Sequence, residues 1–215
     1  MKHITSIIAS LGIILTIYSC NAQTQKKSDV KKVKLTAPAG KSIAAFAEGC
    51  FWCSEHIFED IAGVDSAISG YAGGTTSNPT YDLVNTETTG HAETILVYYN
   101  PKIISYAELV KVFFASHDPT TPNQQGPDKG SSYRSILFYN SSAEKSLAEQ
   151  GVRNISKSGR FKKPIVTELK PLVNFYRAES YHQDYIKYNP ESSYVRNVSI
   201  PRYQLFKKTY KGKLK

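Results

Sequence analysis

The chain opens with Lys2 and His3 ahead of an uncharged apolar run from Ile7 to Tyr18. That run is too short to span a bilayer and has the length of a signal-peptide core. Residues 21–41 are rich in Gln, Lys, Thr, Pro and Gly with little to bury, the pattern of a flexible linker. Folding sequence starts near Ser42. The run Ile43 to Ala47 predicts a buried strand, and Phe51, Phe58 and Ile61 then recur at helical spacing until Gly63 stops the helix. Strands are predicted over Val64 to Tyr71 and Ala92 to Tyr99, separated by a Gly-, Thr- and Asn-rich loop. Ser105-x-x-Glu108 is a capping box opening a helix that turns Leu109, Val112 and Phe113 inward. A second polar loop, His117 to Gly130, leads to a strand from Tyr133 to Tyr139. Ser141-x-x-Glu144 caps a further helix, Pro164 to Leu169 reads as a strand, and Glu179 to Tyr188 as the last helical stretch.

Strand, helix, strand, strand, helix, strand is the order of the ferredoxin-like split unit. The expected fold is therefore α/β, a ferredoxin-like two-layer sandwich whose mixed sheet is covered by helices, followed by an irregular C-terminal tail. The expected organisation is a signal peptide over 1–20, a basic linker over 21–41, one globular domain over 42–200 and a basic tail over 201–215. A chain of 215 residues with 40% hydrophobic content suffices for one such core. The formal charge of +9 would suggest a polyanionic partner. The basic excess, however, sits in the two flanks, while residues 42–200 are mildly acidic. No nucleic-acid partner is expected, and the flanks stay solvated or lie near anionic lipid. Monomer is the default state. The two polar loops are long for a compact domain, which marks them as carriers of function.

Cysteine usage narrows the chemistry. Ile17-Tyr18-Ser19-Cys20 resembles a bacterial lipoprotein signal, in which Cys20 becomes the lipidated N-terminus. The expectation is an exported protein anchored in the membrane, facing the periplasm or cell exterior; cleavage after Ala22 would instead release a soluble protein. Only Cys50 and Cys53 remain, in Gly49-Cys50-Phe51-Trp52-Cys53. Placed where the first strand hands over to the first helix, Cys50 meets unpaired amides and the positive end of the helix dipole, so its thiol pKa is expected to fall. Cys53 lies on the same face of the first turn, within reach of a disulfide. A structural pair, a zinc site and a thioredoxin-like disulfide exchanger are the alternatives. Zinc would need further ligands, and neither a second Cys-x-x-Cys nor a tight His pair is present. Haem attachment would need His where Ser54 stands. Phe51 and Trp52 either wall an apolar pocket or pack into the core.

From Gly49-Cys50-Phe51-Trp52 onward the order of short blocks is distinctive. It runs through Gly70-Tyr71-Ala72-Gly73-Gly74, Asn78-Pro79-Thr80-Tyr81, Gly90-His91-Ala92-Glu93, His117-Asp118-Pro119 and Gln125-Gly126-x-Asp128-x-Gly130. Tyr133-Arg134-Ser135 and Phe175-Tyr176-x-Ala178-Glu179-x-x-His182-Gln183 complete it. In these blocks the sequence resembles the A-type peptide methionine sulfoxide reductases, over roughly residues 43 to 190. A general disulfide exchanger has no place for them.

The resemblance implies reduction of methionine-S-sulfoxide in oxidised proteins or peptides. Cys50 matches the catalytic cysteine, Phe51 and Trp52 the pocket for the substrate methyl group, and Glu93 the proton donor. Tyr81 and Tyr133 match the hydroxyls that hold the sulfoxide oxygen, and Asp128 a further site residue. Family members differ in the resolving cysteine; with none near the C-terminus here, Cys53 takes that role. No bound cofactor or metal is implied, only an external thioredoxin-type dithiol. The chemistry needs these residue types, because a sulfoxide sulfur is a poor electrophile until its oxygen is protonated or strongly hydrogen-bonded. Unaided, Glu93 could equally face solvent, and His91 and His182 are expected to be structural.

Overall fold

The computed structural model describes residues 29–215; Cys20 and the apolar run before it lie outside them. Eight-residue β4 (Ala92–Tyr99) is central, flanked by β2 (Ser42–Glu48) and β3 (Val64–Ala72), antiparallel to both. β7 (Ser135–Tyr139) pairs antiparallel with β2, and β8 (Glu168–Pro171) extends that edge in parallel. On the other edge β3 pairs with β9 (Phe175–Arg177), which pairs with the two-residue β1 (Lys31–Lys32). The result is a seven-stranded mixed sheet of order β1-β9-β3-β4-β2-β7-β8. A separate two-stranded ribbon joins β5 (Gln124–Gln125) to β6 (Asp128–Lys129) inside the second polar loop.

Strand alternation distributes the core over both sheet faces. Ala44 and Phe46 of β2 turn toward α1 (Phe51–Glu59) and α3 (Tyr106–Ser116), where Phe46 stacks on Phe58 at 4.9 Å and meets Phe113 at 5.8 Å. Ile43, Ala45 and Ala47 face the other way, against Leu96, Phe138 and Phe175, with Val33, Leu35 and Ala37 packed over them. Both serine N-caps form: Ser105 Oγ accepts the Glu108 amide and Ser141 Oγ the Glu144 amide, each at 3.2 Å, the second opening α4 (Ser142–Lys157), while the glutamates bind elsewhere, Glu108 to Lys111 and Glu144 to the Asn140 amide.

Four expectations change. The described part of the linker is docked, with Val33 N–H donating to Phe175 O at 2.9 Å, because its alternating Val33, Leu35 and Ala37 cover an otherwise bare sheet face. The last sheet segment begins at Glu168, since Val166 N–H is taken by Pro119 O before pairing starts. Residues 201–215 are no loose tail: α6 (Ile200–Thr209) continues a π-helical stretch over Val195–Ser199 and buries Phe206 in the core. The end of the chain then returns to α1, Lys215 N–H donating to Asp60 O at 2.8 Å. Between Glu179 and Tyr188 lie only a short 3-10 turn (Ser180–His182) and the single-turn α5 (Tyr185–Tyr188). Among the described residues no helix is long and apolar enough to cross a membrane.

Candidate active site

Gly49 makes the turn from β2 into α1. Its φ of +89° strains any other L residue, and a Cβ there would lie 2.5 Å from Gln125 of the polar loop. This leaves Cys50 at the helix N-cap, buried, with a side chain that makes no capping hydrogen bond. The Phe51 amide donates instead to Glu93 Oε2 at 2.9 Å, so the nucleophile position and the acid position are joined across one helix terminus. Opposite, a Cβ at Gly74 would lie 2.3 Å from the His91 amide nitrogen; only glycine lets the Gly-Gly turn close against the segment that leads into Glu93.

Cys50, Phe51, Trp52, Glu93, Tyr81, Tyr133 and Asp128 line one cleft of about 320 Å³, so every expected catalytic and substrate-binding residue except Cys53 opens into it. Tyr81 opens the single-turn α2 (Tyr81–Val84), capped by Thr80, and its amide is held by Glu179 Oε1 at 3.0 Å. Its hydroxyl is within hydrogen-bonding reach of Tyr133. Trp52 stacks face to face on Tyr185 with centroids 3.7 Å apart, and its indole N–H donates to His182 Nδ1 at 3.0 Å. That bond fixes His182 as the tautomer protonated at Nε2. Burial holds His182 neutral, at a pKa of about 4, and its ring fills the space between Phe51 and Tyr81. His91 is likewise structural, its Nε2 2.8 Å from Thr76 O and its Nδ1 accepting the Gly74 amide.

Glu93 is 2% exposed rather than solvent-facing, and burial pushes its carboxyl up to about 8 against the pull of the Phe51 amide. It is therefore a neutral acid at pH 7, with Oε2 engaged and Oε1 left for the proton. Tyr133 and Tyr81 are both pushed up by burial and remain hydrogen-bond donors.

The thiols depart from expectation. Burial raises the Cys50 thiol well above its ordinary value, and hydrogen bonding to Cys53 adds to this. The helix amide expected to stabilise its anion is spent on Glu93, which is why the dipole does not prevail. Cys53 is lowered to about 6, first by a hydrogen bond from the Cys50 thiol and then by the Arg202 guanidinium, against its own burial.

Arg202 and Tyr194 are the residues that sequence reasoning missed. Tyr194 O–H donates to Asp128 Oδ2 at 2.5 Å, and both side chains line the cleft. Arg202 reaches in from α6 to Glu48 Oε1 at 2.8 Å and to the Ser116 carbonyl at 2.8 Å. With 15 tyrosines and a basic C-terminus, neither stood out in composition; the spacing of Phe206 and Tyr210 was the available sign that this segment packs. Among the described residues no group of three or more His, Cys, Asp or Glu is arranged to hold a metal ion.

A buried cysteine and a neutral carboxylic acid sharing one cleft, with a second thiol one helical turn behind, define a thiol-dependent oxidoreductase. Residues 42–214 match the sequence model of the family "Peptide methionine sulfoxide reductase". The chain is 45% identical over 176 residues to peptide methionine sulfoxide reductase MsrA of Saccharolobus solfataricus, covering 80% of this chain and 97% of that protein. With the MsrA of Natronomonas pharaonis it shares 43% over 171 residues, covering 80% and 96%. The reduced form of Mxr1 from Saccharomyces cerevisiae superimposes with a TM-score of 0.66 at 39% identity, covering 76% of this chain and 92% of that one. Methionine sulfoxide reductase A of Corynebacterium diphtheriae gives 0.64 at 32%, covering 72% and 78%. The chain belongs to the peptide methionine sulfoxide reductase family, and it is an enzyme that reduces methionine sulfoxide.

Proposed function

We propose that this reductase acts on the S epimer of methionine sulfoxide in oxidised proteins and peptides outside the cytoplasm, with Cys50 as nucleophile and Cys53 as resolving thiol. The observation that carries the assignment is that Cys50 and the protonated Glu93 open into the same small cleft, bridged by the Phe51 amide. Phe51 and the clamped Trp52 receive the methyl group, and Tyr81 and Tyr133 hold the sulfoxide oxygen. Cys50 sulfur attacks the sulfinyl sulfur while Glu93 protonates the oxygen. Methionine leaves, and the oxygen stays on Cys50 as a sulfenic acid. Cys53 attacks that sulfur, hydroxide departs as water, and a Cys50–Cys53 disulfide remains. An external thioredoxin-type dithiol takes it back to two thiols, becoming a disulfide itself.

Lipidation at Cys20, and hence anchoring to the membrane on its outer side, rests on the pattern Ile17-Tyr18-Ser19-Cys20. An exported pair of this kind needs electrons delivered across the membrane, which points to a membrane-linked thioredoxin-like donor. The antiparallel order β3-β4-β2-β7 with helices α1 and α3 supports the ferredoxin-like reading of the core. Monomer is the expected state.

The test is turnover of a methyl sulfoxide with dithiol, resolved by epimer. Consumption of the S epimer alone, and no methionine from Cys50→Ser, are expected; equal consumption of both epimers would overturn the stereochemical assignment. Intact mass of the mature chain reads the lipid and, after one exposure to sulfoxide, the disulfide.

A further inference from the structure

Two polar loops carry the tyrosines of the cleft. Residues 73–91 hold Tyr81 and run into the strand of Glu93; residues 117–130 hold Asp128 and run into a 3-10 turn, Ser131–Tyr133. Tyr81 and Tyr133 therefore stand on a single helical turn and a single 3-10 turn, elements too short to hold a position by themselves.

Glu87 joins the two. Its Oε2 accepts the Ser132 amide at 2.9 Å and the Ser131 hydroxyl at 2.5 Å, and its Oε1 accepts the hydroxyl of the fully buried Ser132 at 2.7 Å. Three donors from the two residues before Tyr133 thus converge on one carboxylate of the other loop. Burial pulls the pKa of this carboxyl up, but the Ser131 and Ser132 bonds bring it below its ordinary value, so the acceptor is an anion at pH 7.

The backbone on both sides is shaped around this contact. Glu87 has a φ of +62°, a left-handed conformation that strains any residue with a Cβ. Strain of this kind persists where surrounding contacts over-determine it. At Gly130 an added Cβ would lie 2.2 Å from Glu87 Oε1, so the second loop is bare where the carboxylate crosses it. The link is also stiff in both directions. Asn85 N–H donates to Tyr81 O and Glu87 N–H to Val84 O, each at 3.0 Å, which continues the turn begun at Tyr81 as far as Glu87. Tyr133 N–H donates to Gly130 O at 3.1 Å and closes the turn that carries both serines. Arg134 ties the same segments nearer Glu93, its Nη1 donating to Ser131 O at 2.7 Å and its Nη2 to Gly90 O at 2.9 Å.

Resting on the reading that Tyr81 and Tyr133 hold the sulfoxide oxygen, we propose that Glu87 is a positioning residue for the reaction: its carboxylate latches the Tyr81 loop to the Tyr133 turn and so sets the two hydroxyls at the spacing that one sulfoxide oxygen requires. Its charge also pushes the Glu93 carboxyl up, a separate route that would survive loss of the tyrosine hydroxyls.

The experiment is rapid-quench measurement of the first methionine released, without reductant, over a range of methyl sulfoxide concentrations. Glu87→Gly and Glu87→Gln are each placed in the wild-type chain and in a Tyr81→Phe/Tyr133→Phe chain. Glycine relieves the φ strain, so Glu87→Gly is expected to fold, with the melting temperature as the check. In the wild-type chain it should lower the saturating rate about tenfold. The half-saturating concentration should change by less than about twofold, because Phe51 and Trp52 still receive the methyl group. Glu87→Gln keeps one carbonyl oxygen for Ser132 and should restore part of the rate. In the Tyr81→Phe/Tyr133→Phe chain, Glu87→Gly should change the rate by less than about twofold, since the hydroxyls it positions are gone. A wild-type rate in Glu87→Gly overturns the proposal. So does the same fold loss in both backgrounds, which is what a merely structural role, or an effect through Glu93, would give. If Glu87→Gly does not fold, Glu87→Gln in the two backgrounds decides by the same criterion. Failure of the underlying reading looks different: the Tyr81→Phe/Tyr133→Phe chain then reacts at the wild-type rate.

Discussion

Glu93→Gln separates what the acid does for catalysis from what it costs the fold. The unfolded chain ionises this carboxyl at its ordinary value of 4.5, whereas the folded protein holds it neutral up to about 8. Between those values the native state binds the extra proton, so wild-type stability falls as pH rises, at about 1.4 kcal/mol per pH unit for this one group. At pH 7 the accumulated cost is roughly 3 kcal/mol, a large share of the stability of a domain this size. Gln keeps the acceptor that the Phe51 amide needs and never ionises. Denaturant unfolding at several pH values should therefore show Glu93→Gln more stable than wild type above about pH 5, by a margin that grows to a plateau above about pH 8. Methionine formation should fall by about 10²–10⁴-fold in the same variant, because the amide has no acidic proton to give. A variant no more stable than wild type at pH 7, or a margin independent of pH, would refute a neutral buried Glu93 and with it the source of the sulfoxide proton.

In wild type, activity should decline as pH rises through about 8, where Glu93 ionises, and a pH-rate profile that stays flat there would contradict the assignment. With a thioredoxin-type reductant, Cys53→Ser should produce one equivalent of methionine and stop; sustained cycling would move the resolving step elsewhere. Phe206→Ala should destabilise the fold by about 3–5 kcal/mol, read by denaturant unfolding, since this side chain of α6 is 1% exposed; a loss under about 1 kcal/mol would return residues 201–215 to the status of a tail. Gly49→Ala should lower the melting temperature through positive-φ strain and the clash with Gln125, and should also slow turnover by displacing Cys50.

The parts of the fold that the sequence made legible share one property: their signal is local. Ile43–Ala47, the Ala92–Tyr99 run and the two serine N-caps announce themselves by alternation or capping, and each forms nearly where expected. β1 and β9 are two and three residues long and exist only because each other and β3 are there to pair with. α6 was hidden differently, its buried Phe206 sitting among Lys and Arg whose charges dominated the composition. The site divides along the same line. Cys50, Glu93, Tyr81, Tyr133 and Asp128 came from ordered blocks and meet in one cleft. The charge state of the thiols could not come that way. The direction in which each thiol is shifted depends on how deeply it is buried, on the other thiol and on a guanidinium arriving from α6, all facts of tertiary packing.

The clamped indole of Trp52 has a spectroscopic consequence. It is the chain's sole tryptophan, among 15 tyrosines, so nearly all emission excited at the red edge of the protein absorbance originates from a fluorophore in the wall of the catalytic cleft. Stacked on Tyr185 and tethered to His182, it has little freedom to rotate, and it stands between Cys50 and Cys53 in the chain. Its emission is expected to shift when those two sulfurs join, a change readable without label or coupled assay.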